Sequence, residues 1–338
     1  MKYKKAHNRC GPGTSCCWLP VLVFGFIVIP SCLWAQAGGL AGSFSRLGFG
    51  PRGMSMGNAM SSTPGDGFYS YYNPAHAARN INGRQLDVST SLMKFDRTLH
   101  QLNGALPLPP KAGISFSILN AGVDNIDGRT RSGYHTQMLS TNEYQFASAF
   151  GIRLTPRWNL GVGIKLYLAD FHAALQNVTS FGFDLGTLYK VSPTLTLGLV
   201  IQDLLAEYPW NTGTLYGDSS SGTNVDEFPT QLRIGASYQL FQNLLVALDP
   251  GLLLEPSPGS DPIFQLRAGG RYRIHEQVSL RAGWQVGNLR SIATSNNFSA
   301  GFSVHLPFDL LAPSVDYAFV PEPNYVSTMH IFGLQLNL

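Results

Sequence analysis

A short glycine-rich stretch is the part of this sequence whose residue types and spacing could most directly do chemistry. Residues 48–53 read Gly-Phe-Gly-Pro-Arg-Gly, and their three glycines satisfy the G-x-G-x-x-G spacing that cradles a pyrophosphate in dinucleotide-binding folds. Such a cradle needs a buried apolar strand before it and a helix after it. Here residues 38–47 are polar and glycine-rich, and Pro51 interrupts the loop. The sequence therefore argues against a dinucleotide site, and the glycines need another explanation.

Other groups that could carry catalysis or bind a metal have no recognisable arrangement. The eight histidines show no H-x-x-x-H spacing, and the chain has no G-x-S-x-G motif. His135 and His172 fall in predicted loops and His275 in a predicted turn, where a solvated histidine is ordinary. We therefore expect a protein that is not an enzyme, with no catalytic residues, no cofactor and no metal.

The first 35 residues have the pattern of an export signal. Four basic residues precede the apolar stretch 18–35, which ends at small residues suitable for cleavage, Ala35 or Ala37. Two prolines interrupt this stretch, so it would make a poor permanent transmembrane helix. A lipoprotein cleavage site at Cys32 is the alternative, and the proline before it and the apolar residues after it disfavour it.

The positions of the cysteines and charges exclude several classes of protein once this leader is removed. All four cysteines lie within residues 1–35, so the mature chain has no disulfide, thiol nucleophile or cysteine metal ligand. Four of the 23 Lys and Arg residues lie there, and none of the 20 Asp and Glu residues does, which leaves a mature net charge of −1. A nucleic-acid partner therefore has no electrostatic support.

The composition fits neither a soluble domain nor a helical membrane protein. Charged residues make up 13% of the chain, against about 25% in typical soluble domains. The mean hydropathy is +0.01, and no second window of 18 apolar residues follows the leader. These features match a transmembrane β-barrel, in which lipid-facing and lumen-facing residues alternate.

Apolar and polar residues alternate along almost every segment after residue 83, which is the period of a strand with one apolar face. Fourteen such segments are predicted: 84–95, 97–107, 112–120, 142–154, 158–170, 178–190, 194–203, 229–240, 243–249, 263–274, 277–286, 297–306, 314–320 and 328–338. Short and long connections alternate between them, apart from a tight first hairpin at Asp96, as expected of short periplasmic turns and longer outer loops. The predicted fold class is all-β, a transmembrane antiparallel β-barrel of about 14 strands.

The chain ends on a strand that suits outer-membrane assembly. Gly333, Leu336 and Leu338 have the glycine and apolar spacing by which barrel substrates present their last strand for insertion. We therefore expect the protein in the cell outer membrane. Outer-membrane lipid and the barrel assembly machinery are its expected partners.

The segment before the first strand does not alternate and carries two short motifs. They consist of Arg52, Gly53, Met54, Gly57 and Ala59, followed by the acidic Asp66, and then Tyr72, Asn73, Pro74 and Ala75. Together they resemble the N-terminal signature of the PorV/PorQ family of outer-membrane barrels, which is itself similar to the FadL fatty-acid transporter fold. Further matches lie at 228–238, 280–284 and 316–319, so the resemblance spans essentially the whole mature chain.

The resemblance implies a 14-stranded outer-membrane barrel at 84–338 with an N-terminal plug at 36–83 in its lumen, which follows the signal peptide expected at 1–35. The stretch 48–53 would then serve packing and turn geometry, because small residues let backbone pack inside a crowded barrel. Arg52, buried in the lumen, would need a carboxylate partner. Three candidates stay open for that role, namely Asp184, Asp203 and Asp249.

Two non-enzymatic functions remain. The resemblance implies a component associated with protein secretion or surface attachment of the type IX kind, with secretion-system proteins or exported cargo docking on outer loops 120–141 and 204–228. The docking candidates are Tyr134, Tyr208, Trp210 and Tyr216, for which an interfacial aromatic girdle is the competing explanation.

The alternative is a FadL-like channel for uptake or export of small hydrophobic molecules, in which the apolar stretch 251–258 would suit an entry groove. A water-filled porin is disfavoured, because a plug inside a 14-stranded barrel leaves little open lumen.

Overall fold

A computed structural model of the chain describes residues 40–63, 70–79, 83–172, 175–211, 223–256, 259–308, 311–322 and 327–338. Fourteen strands form one closed antiparallel barrel, which confirms the predicted fold class. Its strands are β1 (Gln85–Leu92), β2 (Arg97–Leu108), β3 (Ala112–Arg129), β4 (His135–Arg153), β5 (Trp158–Asp170), β6 (Val178–Lys190), β7 (Leu195–Leu204), β10 (Thr230–Phe241), β11 (Leu244–Leu254), β12 (Ile263–Arg273), β13 (Val278–Val286), β14 (Asn296–His305), β15 (Ser314–Pro321) and β16 (Thr328–Asn337). Each strand pairs with its neighbour along the chain, and β1 pairs with β16, so the barrel has no open edge.

The alternation in the sequence separates an apolar outer face from a polar inner face. In β5, Val162 and Ile164 are exposed on the outside, whereas Lys165 and Tyr167, further along the strand, are buried inside. The same outer band includes Val88, Leu102, Phe116, Phe146, Phe181, Leu199, Ile234, Leu248, Phe302 and Phe332, all of them exposed. A continuous apolar band of this kind is the surface that a barrel presents to lipid.

The two ends of the barrel differ in their connections. Short turns at 109–111, 154–157, 191–194, 242–243 and 274–277 define what we call the short-turn end. At the opposite, long-loop end, most of the predicted loop 120–141 continues as strand, since β3 runs to Arg129 and β4 begins at His135. The predicted loop 204–228 contains a separate two-stranded sheet of β8 (Glu207–Asn211) and β9 (Thr223–Glu227).

The N-terminal segment, as far as the structure describes it (40–63 and 70–79), lies inside the barrel. It contains a 3-10 turn (Ser43–Arg46), the short helix α1 (Gly50–Met54) and a second 3-10 turn (Pro74–Arg79). A 3-10 turn (Leu289–Ser291) and helix α2 (Ile292–Ser295) connect β13 to β14. Among the described residues no helix is long and apolar enough to cross a membrane. The predicted leader, with Cys32, and the motif residue Asp66 fall outside the described ranges.

Candidate functional site

The first motif of the plug lies directly against glycines of the barrel wall. Pro51 contacts the Gly333 position on β16, and Ser55 contacts Gly301 on β14. Met56 and Gly57 lie against a glycine on β12 and another on β13, and a Cβ added at either wall glycine would overlap the plug backbone. Backbone can come this close to a wall only where the wall residue has no side chain.

The second part of the plug continues around the wall in the same direction. The wall glycines that face it are Gly198 on β7 against Ser61, Gly186 on β6 against Asn73, Gly161 on β5 against Ala75, Gly151 on β4 against Ala78, and Gly113 on β3 against Ala77. From Pro51 at β16 to Ala77 at β3, the plug therefore follows almost the whole inner circumference of the barrel. We call this arrangement the glycine ring. It explains why the wall carries glycine at these inward positions.

The glycines of residues 48–53 serve local geometry. Gly48 has φ 125° and Gly50 has φ 68°, both in the left-handed region that favours glycine. The amide nitrogens at the start of α1, where a phosphate would bind, are used by the protein itself: Phe49 N donates to the Tyr72 hydroxyl at 2.9 Å, and Gly50 N donates to Gln101 Oε1 at 2.5 Å. The stretch leads into the five-residue helix α1, whose first residue is hydrogen-bonded to Gln101 of the wall. It forms no phosphate cradle.

Arg52 has a carboxylate partner, but it is none of the three predicted ones. Its Nε lies 2.9 Å from Asp316 Oδ2 on β15, and its Nη2 donates to Ser314 Oγ at 2.7 Å. The two charged side chains are 5% and 1% exposed. The prediction of Asp184, Asp203 or Asp249 was wrong because α1 packs on β14, β15 and β16, whereas those residues lie on β6, β7 and β11.

The three rejected aspartates hold other parts of the interior. Lys165 Nζ lies 2.9 Å from Asp184 Oδ2 and 2.7 Å from Asp203 Oδ1. Asp203 also accepts a hydrogen bond from the Tyr167 hydroxyl at 2.7 Å. Asp249 Oδ2 accepts from the backbone nitrogen of Ser61 at 2.7 Å, which ties the plug to β11. The charges of Lys165, Asp184 and Asp203, paired and hydrogen-bonded in this way, can be accommodated in a closed lumen.

Asn73, in the Asn-Pro-Ala motif, joins the two parts of the plug. Its Nδ2 donates to the Ser61 carbonyl at 2.8 Å, and its Oδ1 accepts from Ala75 N at 3.0 Å. The same Nδ2 lies 3.2 Å from the carbonyl of Thr187 on β6. Pro74 begins the second 3-10 turn, where its missing N–H costs nothing. The motif is therefore a structural joint between the plug and the wall.

Burial shifts the pKa values of two titratable side chains of the plug. Burial lowers the pKa of His76 to about 3, and the neighbouring charge of Arg79 lowers it further in the same direction. His76 Nε2 lies 3.1 Å from the carbonyl of Met60. Burial raises the pKa of Tyr71 to about 12. Both groups stay neutral at ordinary pH, as packing in a dry interior requires.

An aromatic cluster fills the lumen toward the long-loop end. Its members, which we call the inner aromatic cluster, are Phe44, Tyr167, Phe171, Tyr208, Trp210 and Phe228. The ring centroid of Phe228 lies 4.6 Å from that of Tyr167 and 4.8 Å from that of Tyr208. Gly42, with φ 62°, lies against the ring of Phe228, where a Cβ would overlap the ring. Plug, wall and the β8–β9 sheet therefore meet in one apolar layer.

The four aromatic docking candidates lie in different places. Tyr134 is 76% exposed at the tip between β3 and β4. Tyr208 is 2% exposed inside the inner aromatic cluster, so its ring is not available to a partner. Trp210 is partly buried and donates from Nε1 to Asp226 Oδ2 at 2.6 Å. Tyr216 falls outside the described residues.

The cavities of the barrel differ sharply in size. Two cavities beside the plug, one next to Ser70 and Ser115 and one next to Arg46 and Arg233, have volumes of about 10 Å³ each. A volume of about 10–15 Å³ holds one water molecule. A cavity of about 680 Å³ opens at the short-turn end. In the part of the chain that the structure describes, no group of three or more His, Cys, Asp or Glu residues is placed to hold a metal ion.

Comparisons with known proteins give the fold. No protein-family model and no curated sequence matches the chain. Among solved structures, the toluene transporter TbuX of Ralstonia pickettii is similar with a TM-score of 0.62 and 13% identity, over 86% of this chain and 98% of that one. The toluene transporter TodX of Pseudomonas putida gives 0.60 and 14% over 86% and 96%.

A FadL homologue of Pseudomonas aeruginosa gives a TM-score of 0.59 and 14% identity over 85% of this chain and 97% of that one. At these identities the likeness concerns architecture. The chain has the fold of FadL-type outer-membrane barrels, with 14 antiparallel strands closed around an N-terminal plug.

Proposed function

We propose that this protein is a non-enzymatic channel of the outer membrane for small hydrophobic molecules, exported by its N-terminal leader. The observation that carries the proposal is the likeness in fold to two toluene transporters, each over 86% of the chain. This favours the alternative function from the sequence over the association with secretion. The interior of the barrel gives the proposal further support.

The inner aromatic cluster supplies an apolar layer on the path through the barrel. Phe44, Tyr208 and Phe228 are each at most 4% exposed and lie between the long-loop end and the glycine ring. A small apolar solute would gain free energy by leaving water for such a layer. Since the cavities beside the plug hold about one water molecule each, passage would require the plug to shift.

Association with secretion rests on the resemblance of the two motifs. Arg52 and Asn73 in those motifs bond to Asp316, Ser61 and the wall, which is what any plugged barrel would need. The motifs therefore do not distinguish a secretion component from a channel. Of the aromatic docking candidates that the structure describes, Tyr134 is the one that is largely exposed, at 76%.

The experiment that tests the proposal is uptake of radiolabelled toluene by cells that lack a channel of this fold and express this chain. We expect severalfold faster uptake than in cells with an empty vector, and unchanged uptake of a hydrophilic sugar. Equal toluene uptake with and without the chain would contradict the proposal. Native mass spectrometry of the gently extracted protein gives the second readout, since stoichiometric secretion proteins on a barrel that does not speed uptake would favour the other function.

A further inference from the structure

The large cavity at the short-turn end is lined by an unusual set of charges. Its volume is about 680 Å³, and its wall comes from the ends of β4, β5, β6, β7, β10 and β12, the adjoining turns and the last residue of the second 3-10 turn of the plug. Six of its lining residues are cationic: Arg79, Arg153, Arg157, Lys190, Arg271 and Arg273. We call this cavity the basic vestibule.

The lining of the basic vestibule has no carboxylate among the residues that the structure describes. Its remaining members are neutral, with Asn159, Thr194, Thr196 and Gln239 as the polar ones. Like charges on a concave surface with low-dielectric walls add their fields and attract counter-ions. The vestibule therefore presents a positive potential to the compartment at the short-turn end.

Arg79 is the cationic lining residue that comes from the plug, and its surroundings favour a bound anion. Its Nη1 is buried and has no hydrogen-bond partner in the described part of the chain. Burial and the nearby charge of Arg153 lower the pKa of Arg79 to about 10, so the two guanidinium groups repel each other. A buried donor without an acceptor costs about 1–3 kcal/mol, and more when the group is charged. An anion between Arg79 and Arg153 would remove both costs.

We propose that the basic vestibule binds a small phosphate-bearing anion, held by Arg79 of the plug together with Arg153 and Arg157 of the wall. Arginine matches phosphate with two parallel charge-assisted hydrogen bonds, and six cations favour an anion with more than one charge. A concave volume of this size accommodates a small molecule or a lipid headgroup. This inference goes beyond the proposed channel and does not depend on it.

The test is isothermal titration calorimetry of the mature protein in nanodiscs of neutral phosphatidylcholine, with inorganic pyrophosphate as the probe. We expect saturable binding that Arg79→Gln and Arg157→Gln each weaken by about tenfold or more, since each removes charge-assisted hydrogen bonds. Arg131→Gln, at the opposite end of the barrel, is the matched control and leaves binding unchanged. Heat-modifiable migration on gels shows that each variant is folded, and Arg157, an exposed turn residue, keeps the test valid if Arg79→Gln does not fold.

A second set of nanodiscs that contain phosphatidylglycerol distinguishes a lipid source from a soluble one. If that lipid blocks pyrophosphate binding in the wild type, a phosphate headgroup occupies the same site, which also supports the proposal. If pyrophosphate still binds there, a soluble anion is the ligand. No pyrophosphate binding, equal binding in all three variants, or binding of a polyglutamate peptide in place of pyrophosphate would overturn the proposal.

Discussion

Arg52 of the plug and Asp316 of strand β15 form a buried ion pair, with Nε and Oδ2 2.9 Å apart and both side chains at most 5% exposed. The two residues are 264 positions apart in the sequence. Ser314 Oγ accepts a second hydrogen bond from the same guanidinium at 2.7 Å. The pair therefore anchors the first part of the plug to the last strands of the barrel.

Replacing one partner of this pair leaves the other charge buried without compensation. We expect Arg52→Met to weaken the attachment of the plug by about 3–5 kcal/mol, while the 14-stranded wall persists. Hydrogen–deuterium exchange over residues 50–60 would measure the loss as faster exchange. Arg129→Met, which removes an exposed arginine from the tip of β3, is the control and should leave exchange at 50–60 unchanged.

The glycine ring predicts a contrast between two adjacent residues. Gly269 faces the backbone of Met56, whereas the nearest atom to a Cβ at Gly270 would be 3.7 Å away. Gly269→Ala should therefore displace the plug at a cost of about 1–3 kcal/mol, as overpacking of a core does. Gly270→Ala should have no such effect. Protease cleavage of the plug in detergent is the measurement, and equal cleavage of the two variants would argue against the ring.

Local alternation was enough to predict the barrel but not its interior pairings. The two faces of β5 follow from period two, so the outward Val162 and the inward Lys165 could be assigned from sequence. The period also places Asp316 inside the barrel, but it gives no position around the circumference. Which strand lies beside Arg52 depends on the path of the plug, and that path is set by long-range contacts.

Other features left weaker signals in the sequence. The extension of β3 to Arg129 was missed because residues 120–129 contain several turn-forming residues, although they pair with β4 over most of this length. Strands β8 and β9 have five residues each and look like loop. The glycine ring had a usable signal, since glycines recur at inward positions such as Gly161, Gly186 and Gly198.

His76 predicts how the plug responds to acid. Its pKa is about 3 in the folded protein and 6.5 in its ordinary state, so the unfolded state binds the proton first as pH falls. The stability of the plug should therefore be unaffected by this group above pH 6.5 and decrease between pH 6.5 and about 3, by up to about 1.4 kcal/mol per pH unit.

His76→Gln provides the comparison for that prediction, because glutamine can still hydrogen-bond to Met60 but does not titrate. We expect a flatter dependence of plug protection on pH in this variant, measured as proteolysis of the plug with an acid-tolerant protease. The same steep dependence in both proteins would show that other groups cause it.

The inner aromatic cluster predicts a change in permeability. Phe228→Ala removes the ring that contacts Gly42, Tyr167 and Tyr208, and should cost about 3–5 kcal/mol of packing energy while opening a cavity. Because this layer lies on the proposed path, toluene uptake should rise severalfold with hydrophilic solutes unaffected. Tyr134→Ala, at an exposed tip, is the control for loss of an aromatic ring. Identical uptake in the two variants would place the path elsewhere.

A disulfide between plug and wall tests the proposed function most directly. Ser115 Oγ donates to Ser70 Oγ at 2.6 Å, so cysteines at these two positions lie close enough to bond. The chain's own four cysteines all lie within residues 1–35, so the double variant Ser70→Cys/Ser115→Cys carries a single pair once the proposed leader is removed. We predict that the reduced protein speeds toluene uptake and that oxidation abolishes this gain reversibly. Uptake that is no faster than in empty cells, or is equal in the oxidised and reduced states, would contradict a channel that opens by movement of its plug.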